Sequence, residues 1–291
     1  MKLLQIEIDE IVRRALIEDL GNGDVTTDAL VPEDLQGRAV IVAKADGTLA
    51  GVDVARTVFL TVDPALQFDT LLIDGARLSA GVQTQEGDVI AEISGSVASI
   101  LKGERVALNF LQHLSGIATA TDQFVEAVKG FDIDILDTRK TMPGHRNLQK
   151  YAVTVGGGKN HRRDLSDGIL IKDNHIAAGR LRGLDIAEII HEMRRSAPHT
   201  LKVEIEVETL EQVREAGEAG ADILMLDNMS SAEMTEAVTL IGGRALTEAS
   251  GGITLRNVRE VAASGVDMIS VGALTHSVNS LDISLDLLEM G

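Results

Sequence analysis

The sequence predicts an α/β barrel that follows a smaller region containing an antiparallel sheet. From residue 133 onward, short apolar segments alternate with segments of helical spacing, and polar residues follow each apolar segment directly. Alternating strands and helices form a parallel sheet, and in a barrel the loops after the strands converge on one face. An open, doubly wound sheet would use only one or two of these loops, so the barrel is favoured.

The N-terminal part of the chain has a different pattern. Apolar residues at helical spacing over residues 3–17 predict an amphipathic helix that ends in the turn 21–24. Short apolar runs at 39–43 and 89–93 alternate with Gly and Asp turns and indicate a small antiparallel sheet. Residues 102–113 and 119–128 then return to helical spacing.

Six strands are predicted in the barrel region, with helices between them. The strands cover residues 133–136, 168–171, 203–207, 223–226, 245–248 and 268–271, and the clearest helices cover 210–219, 232–240 and 255–263. Polar or glycine-containing segments follow at 137–140, 172–174, 227–228, 250–252 and 272–276, and Glu206 lies near the end of its own strand. The sequence therefore predicts one pocket at the carboxyl ends of the strands.

The charge distribution indicates a small anionic ligand. Between Arg139 and Lys172 there are eight Lys or Arg residues and only two acids, in a chain with a formal net charge of −18. The overall negative charge repels nucleic acids and anionic membranes, so we expect neither as a partner and expect the cations to act inside a pocket. No apolar run reaches the length of a membrane span, and residues 1–20 do not resemble a signal peptide, which predicts a cytoplasmic protein.

Four cations are the main candidates for binding this anion. Arg139, Lys140, Arg162 and Lys172 could each be ordinary solvated surface charges, which is the commonest position of basic residues. Their places after predicted strands or beside a glycine-rich turn favour a site instead. Arginine can hold a carboxylate or a phosphate through two parallel hydrogen bonds.

Two glycine turns follow the last predicted strands. Ser250, Gly251 and Gly252 precede a predicted helix, and Gly272 with Ala273 follows the final strand. Backbone N–H groups in such turns bind phosphate oxygens, and barrels commonly bind phosphate at this position. The triple glycine at 156–158 is a weaker signal, since such runs are often only flexible turns.

Carboxylates and histidines complete the candidate site. Glu204, Glu206 and Glu208 alternate along one strand and therefore share a face. Glu206 and Asp227, at neighbouring strand ends, could bind sugar hydroxyls and Mg²⁺, directly or through the ligand. The alternative is a fixed ion pair with Lys140 or Lys172. His161 and His276 are candidate donors, and the spacing of the residues does not favour a zinc site.

These residues together resemble the quinolinate phosphoribosyltransferase family, whose members are carboxylating nicotinate-nucleotide pyrophosphorylases. The resemblance extends over nearly the whole chain. The matching stretches are 18–26, 104–112, 114–119, 137–141, 143–144, 150–153, 156–158, 160–162 and 170–176. Met142 and His145 depart from the family pattern, which usually has Thr and Leu there, and they bear on substrate handling more than on the reaction.

The resemblance implies a specific architecture. It predicts an α+β open-sandwich N-terminal domain over residues 1–113, followed by an incomplete, seven-stranded α/β barrel over 114–291 whose last helix packs back on the first domain. It also implies a homodimer with shared active sites, or a larger assembly of such dimers. In this dimer Arg105 would reach into the site of the partner subunit.

The resemblance further implies the substrates and the residues that bind them. Quinolinate would be held by Arg105, Arg139, His161 and Arg162. Phosphoribosyl pyrophosphate, with Mg²⁺, would contact Lys140, Lys172, Glu206, Asp227, Ser250, Gly251, Gly252, Gly272, Ala273 and His276. Thr138 and Val271 would also belong to the substrate-binding residues. The catalytic residues would be Lys140, Lys172, Glu206 and Asp227, and Glu206 and Asp227 would hold the metal, directly or through ribose hydroxyls. The product would be nicotinate mononucleotide, for NAD synthesis.

Two other functions remain open. One is a related phosphoribosyltransferase-like protein that acts on another aromatic carboxylate. The other is a catalytically silent binding protein, because a fold does not determine a function. Cations at every matched position argue against the silent protein.

Overall fold

The structure is a computed structural model and describes residues 2–81 and 87–288. In these ranges the helices are α1 (Gln5–Leu20), α2 (Val25–Leu30), α3 (Val52–Val62), α4 (Val97–Ala127), α5 (Arg146–Val155), α6 (Asp173–Leu181), α7 (Ile186–Ser196), α8 (Leu210–Glu218), α9 (Ser231–Ile241), α10 (Val258–Ala263) and α11 (Ala273–His276). The strands are β1 (Gln36–Ala43), β2 (Gly47–Thr48), β3 (Gln67–Thr70), β4 (Arg77–Leu78), β5 (Val89–Ser96), β6 (Asp134–Leu136), β7 (Ile169–Ile171), β8 (Val203–Val207), β9 (Ile223–Asp227), β10 (Leu246–Ser250), β11 (Met268–Ser270) and β12 (Ile283–Leu288).

The chain divides into two compact units. Unit 1 consists of Met1–Asp122, Thr141–Gly157 and Leu274–Gly291, and unit 2 consists of Gln123–Lys140 and Gly158–Ala273. The predicted boundary between residues 113 and 114 stays a prediction, and α4 continues through that point as one 31-residue helix. The sequence suggested two shorter helices on either side of it.

Local packing explains why α4 is not interrupted. The Ser115 hydroxyl accepts a hydrogen bond from the Ala50 N–H at 3.0 Å, and a side chain at Gly116 would collide with the backbone of Asn279. The small residues near 115 therefore let other backbone segments approach the helix closely. They do not end it.

Unit 1 contains an antiparallel sheet with the order β12-β1-β5-β3, which agrees with the predicted antiparallel region. The inner strands bury Ala39, Ile41 and Ile93 completely. A separate pair, β2 and β4, is also antiparallel. The predicted first helix is present as α1, and Asp24 in the following turn caps α2 through the N–H groups of Thr26 and Thr27.

The last element in the described ranges is the strand β12, and the packing of the last helix on the first domain stays a prediction. Leu281, Ile283, Leu285 and Leu287 alternate with polar residues, which is the period of a strand and not of a helix. β12 pairs with β1, with Ala43 opposite Ile283 and Ala39 opposite Leu287. The C-terminal segment thus completes the sheet of unit 1.

Unit 2 contains a six-stranded parallel sheet with the order β6-β11-β10-β9-β8-β7. Each of the six predicted strands is present within two residues of its expected ends. From β7 to β11, successive strands are neighbours and helices connect them, as expected for a barrel. The predicted α/β architecture with a separate antiparallel sheet is confirmed.

The family resemblance implied a seventh barrel strand without giving its position, and in the described part of the chain the sheet has six strands and one isolated bridge. Lys159 pairs in parallel with Leu136 of β6, and its N–H donates to the Ile135 carbonyl at 2.8 Å. This bridge lies beside the edge strand β6. In residues 2–81 and 87–288, no helix combines the length and the apolar character needed to cross a membrane.

We predict that Asp74→Ala lowers the free energy of unfolding by about 2–4 kcal/mol, because Asp74 accepts three hydrogen bonds within unit 1. Its donors are the Gly51 N–H at 2.9 Å, the Val52 N–H at 3.0 Å and the Tyr151 hydroxyl at 2.6 Å. The first two lie at the N-terminus of α3, where Gly51 supplies no cap of its own. Urea denaturation measures the change, and Asp69→Ala, at an exposed position of β3, is the control. Equal stability of the two variants would contradict the prediction.

Candidate functional site

One face of the parallel sheet in unit 2 forms the candidate site. Side chains two residues apart on a strand share a face, and the parallel register aligns those of adjacent strands. The polar ends of β7 to β11 therefore meet in one cavity of about 550 Å³. The cavity is lined by Thr138, Arg139, Lys140, His161, Arg162, Leu170, Lys172, Glu206, Met225, Asp227, Asn228, Ser250, Gly251, Gly252 and Ser270.

The structure brings together most of the site residues that the sequence predicted, and it adds four. Leu170 and Met225 precede Lys172 and Asp227 by two residues, so the strand period could have identified them. Asn228 follows Asp227 directly. Ser270 lies in a predicted strand and precedes Gly272 by two residues, so the same period could have identified it.

The two arginines of the cavity lie in a strongly positive environment. Burial and the nearby charge of Arg139 lower the pKa of Arg162, while Glu204 opposes this change. The Nη1 group of Arg162 donates to the Gly168 carbonyl at 3.0 Å, and this hydrogen bond orients the Arg162 side chain. Like charges held close together favour an anion between them.

Lys172 and Glu206 form an ion pair, with 2.7 Å between Nζ and Oε2. The Glu206 side chain is only 12% exposed, whereas that of Lys172 is 45% exposed. This is the ion pair that the sequence left open as an alternative. Because both side chains line the cavity, a ligand that contacts either group has to compete with the pair.

The turn after β10 approaches the end of β9 closely. Asn228 has a left-handed backbone (φ 56°), its N–H donates to the Ser250 carbonyl at 2.9 Å, and its amide donates to Asp227 at 2.6 Å. Gly251 has φ 88°, and a side chain there would collide with Asn228. Glycine is therefore required at this position.

A buried cluster of His161, Glu204 and Glu248 lies one step deeper on the same face. His161 Nε2 is 3.1 Å from Glu204 Oε2 and 3.6 Å from Glu248 Oε2. Burial, together with the charge of Glu204, raises the pKa of Glu248 above its usual range. Glu204 and Glu248 were not predicted as site residues, although Glu204 was placed on the same face as Glu206.

The other predicted residues lie outside the lining of this cavity. Val271, Gly272 and Ala273 follow β11 in unit 2, and the Val271 N–H donates to the Leu136 carbonyl at 2.9 Å. Arg105 and His276 belong to unit 1, Arg105 in α4 beside Glu104 and His276 at the end of α11. Their roles at a site stay predictions.

Models of two protein domains match the chain. The model of the quinolinate phosphoribosyl transferase N-terminal domain matches residues 24–115, and the model of its C-terminal domain matches residues 117–286. A curated protein of Bacillus subtilis, named a probable carboxylating nicotinate-nucleotide pyrophosphorylase, is 44% identical over 282 residues, which is 97% of this chain and 94% of that protein. A chloroplastic nicotinate-nucleotide pyrophosphorylase of Arabidopsis thaliana is 41% identical over 298 residues, 97% of this chain and 83% of its own.

Solved structures give the same result. NadC from Streptococcus pyogenes has a TM-score of 0.91 and 44% identity, covering 99% of this chain and all of that one. The nicotinate-nucleotide pyrophosphorylase from Francisella tularensis has a TM-score of 0.91 and 37% identity, covering 99% of this chain and 98% of its own. The sequence and the fold agree, and the chain belongs to the quinolinate phosphoribosyltransferase family.

Proposed function

We propose that this protein transfers the phosphoribosyl group of phosphoribosyl pyrophosphate to the ring nitrogen of quinolinate, with loss of CO₂. The products are nicotinate mononucleotide and pyrophosphate, for NAD synthesis. The main supporting observation is the cavity of unit 2, where two arginines and two lysines face a glycine turn and two carboxylates. This combination suits a dianionic acid and a phosphorylated sugar in one site.

Quinolinate has two adjacent carboxylates and therefore suits a paired cationic site. Arg139 and Arg162 lie near each other in the cavity, and each can form two parallel hydrogen bonds to a carboxylate. A dianion between them offsets the repulsion of the two guanidinium groups. The site therefore favours quinolinate over singly charged pyridine acids.

Phosphoribosyl pyrophosphate would occupy the other side of the cavity. Its 5-phosphate suits the backbone N–H groups of the turn at Ser250, Gly251 and Gly252. Its pyrophosphate suits Lys140 and Lys172, and its ribose hydroxyls suit Glu206 and Asp227. Binding would then replace the Lys172–Glu206 ion pair by two contacts with the substrate.

The chemistry follows from these positions. The bond between C1 and the pyrophosphate oxygen breaks, and the nearby cations stabilise the departing charge. The pyridine nitrogen attacks C1, and the resulting pyridinium accepts the electron pair that the C2 carboxylate leaves behind as CO₂. A proton then takes the position of CO₂ on C2. The pyridinium ring is the electron sink, so no organic cofactor is required.

Mg²⁺ is part of this proposal. The carboxylates of Glu206 and Asp227 line one cavity, and Mg²⁺ is commonly bound by one or two carboxylates together with substrate phosphates. The residues therefore fit the ion, which would neutralise charge on the pyrophosphate. When bound, Mg²⁺ would stabilise the pyrophosphate as the leaving group.

The assembly and the location of the protein are also proposals. The family resemblance favours a homodimer in which the partner subunit's Arg105 completes the quinolinate site. It also favours roles for His276, Gly272 and Ala273 in binding phosphate groups. A cytoplasmic location stays a prediction from the sequence, since plant relatives have names that specify mitochondria or chloroplasts.

Arg139→Ala and Arg162→Ala should each weaken quinolinate binding about 10- to 150-fold, because each loses a charge-assisted hydrogen bond worth about 1.5–3 kcal/mol. Isothermal titration calorimetry measures the dissociation constant. Arg180→Ala, at an exposed position in the last turn of α6, is the matched control and should bind normally. Normal binding by both cavity variants would show that quinolinate binds elsewhere.

A mixed dimer tests whether Arg105 acts on the neighbouring subunit. One subunit carries Arg105→Ala and the other carries Lys172→Ala, so both defects fall in the same shared site and the second site is wild type. We expect about half of the wild-type activity from purified mixed dimers, against low activity from either homodimer. Mixed dimers as inactive as the homodimers would exclude the shared site.

The activity itself is tested by incubating the protein with quinolinate, phosphoribosyl pyrophosphate and Mg²⁺, and measuring nicotinate mononucleotide and CO₂. Nicotinate is the comparison substrate. It has the same ring nitrogen but lacks the C2 carboxylate, so it leaves a desolvated arginine without a partner. We expect the kcat/KM for nicotinate to be at least about 100-fold lower than that for quinolinate. Equal efficiencies would indicate that the arginines bind phosphates, and would favour a related enzyme for another aromatic acid.

A further inference from the structure

The reaction described above gives no role to Glu204 and Glu248, which form a buried cluster with the cavity residue His161. The two glutamates are 5% and 1% exposed, and neither lines the cavity. Glu204 precedes Glu206 by two residues on β8, and Glu248 precedes Ser250 by two residues on β10. The acids therefore lie directly beneath the substrate cavity, on the same face of the sheet.

The direction of the hydrogen bonds determines the protonation of His161. Its Nδ1 accepts the backbone N–H of Arg162 at 2.7 Å, so Nδ1 carries a lone pair and the ring proton is on Nε2. That N–H points toward Glu204, at 3.1 Å, with Glu248 at 3.6 Å. Both ring nitrogens are thus engaged by the protein.

The protonation of His161 argues against a metal ion in the cluster, although the three side chains have a suitable set of ligand atoms. A histidine that binds a metal through Nε2 offers a lone pair there and donates from Nδ1. His161 has the opposite arrangement. The cluster is better explained by a hydrogen-bond network.

The network ends at a residue of the cavity. Arg162 is held at its backbone N–H by His161 and at its guanidinium by the Gly168 carbonyl. Two anchors fix the position from which the guanidinium can reach a carboxylate. Binding that depends on geometry is weakened by small displacements of such a group.

We propose that Glu204 and Glu248 are positioning residues for quinolinate, which hold His161 so that His161 holds Arg162 in its binding position. In this arrangement His161 supports Arg162 through Nδ1 and directs Nε2 toward Glu204, in place of the direct contact with quinolinate that the family resemblance implied. The inference depends on the proposed function, because it concerns the acid that Arg162 binds.

Burial of two carboxyl groups suggests that they are kept for function. Glu248 Oε1 is buried without a hydrogen-bond partner, and such a group usually reduces stability. Burial also raises the pKa of Glu248, which is the expected response of a desolvated carboxyl. An apolar side chain at position 248 removes the desolvation cost of this unpartnered carboxyl oxygen. Stability and substrate binding should therefore respond differently to substitution.

Glu248→Leu tests the proposal, with Glu248→Gln as the conservative variant. We expect the Leu variant to raise the KM for quinolinate at least tenfold, to leave the KM for phosphoribosyl pyrophosphate within twofold, and to keep the wild-type melting temperature or exceed it. Gln retains an acceptor for His161 and should restore most of the affinity. Thr247→Val, a buried substitution on the opposite face of β10, controls for general disturbance of the strand. If Glu248→Leu is active and its KM for quinolinate is unchanged, the inference is refuted. The proposed function is not affected by that result.

A double variant tests whether Glu248 acts through Arg162. In an Arg162→Ala background, Glu248→Leu should change the quinolinate dissociation constant less than twofold, because the positioned group is already absent. A further tenfold loss of quinolinate affinity in the double variant would overturn the proposal. If the wild-type protein forms no product from quinolinate, the proposed function fails, and the inference fails with it.

Two variants of His161 keep the test decisive even if Glu248→Leu does not fold. Asn places Oδ1 where His161 has Nδ1 and can still accept the Arg162 N–H, whereas Leu cannot. We expect His161→Asn to bind quinolinate at least fivefold more tightly than His161→Leu. Equal losses of quinolinate affinity in the two His161 variants would indicate that His161 acts on the substrate through Nε2, and would exclude its role in supporting Arg162.

Discussion

The parallel register of the sheet in unit 2 is the constraint on which the candidate site depends. Because β7 to β11 run in one direction, their carboxyl ends lie at one edge and every second side chain faces the same side. The register aligns Glu206, Met225 and Glu248 across three strands, and Lys172 follows β7 directly. A slip of one residue in any strand would turn its functional side chain to the opposite face. Sheet stability and substrate binding are therefore linked.

Charge is arranged in layers along this face. Arg139 and Arg162 line the cavity, and Glu204 and Glu248 lie beneath it. Glu204 partly offsets the cost of keeping the two cations close together, because it opposes the lowering of the Arg162 pKa by burial and by Arg139. Since the whole chain has a formal charge of −18, the cavity is a local exception, and its selectivity depends on short-range contacts more than on long-range attraction.

Hydrogen-bond direction distinguishes between roles that residue identity leaves open. A histidine beside two glutamates can bind a metal, exchange protons or act as a support. The backbone N–H of Arg162 on Nδ1 favours the last of these, because it fixes the tautomer. In the same way, Asp74 in unit 1 is an α3 cap because its acceptors face the N–H groups of Gly51 and Val52.

The sequence by itself determined the strands of unit 2, the segments that follow them and most of the cavity residues. This succeeded because strand periodicity and the position of polar residues after strands are local properties of the chain. Tertiary structure decided the rest. The pairing of β12 with β1 and the unbroken α4 depend on contacts between distant segments. The buried pair Glu204 and Glu248 is a further case, because these residues lie on strands separated by β9 and come together only at His161.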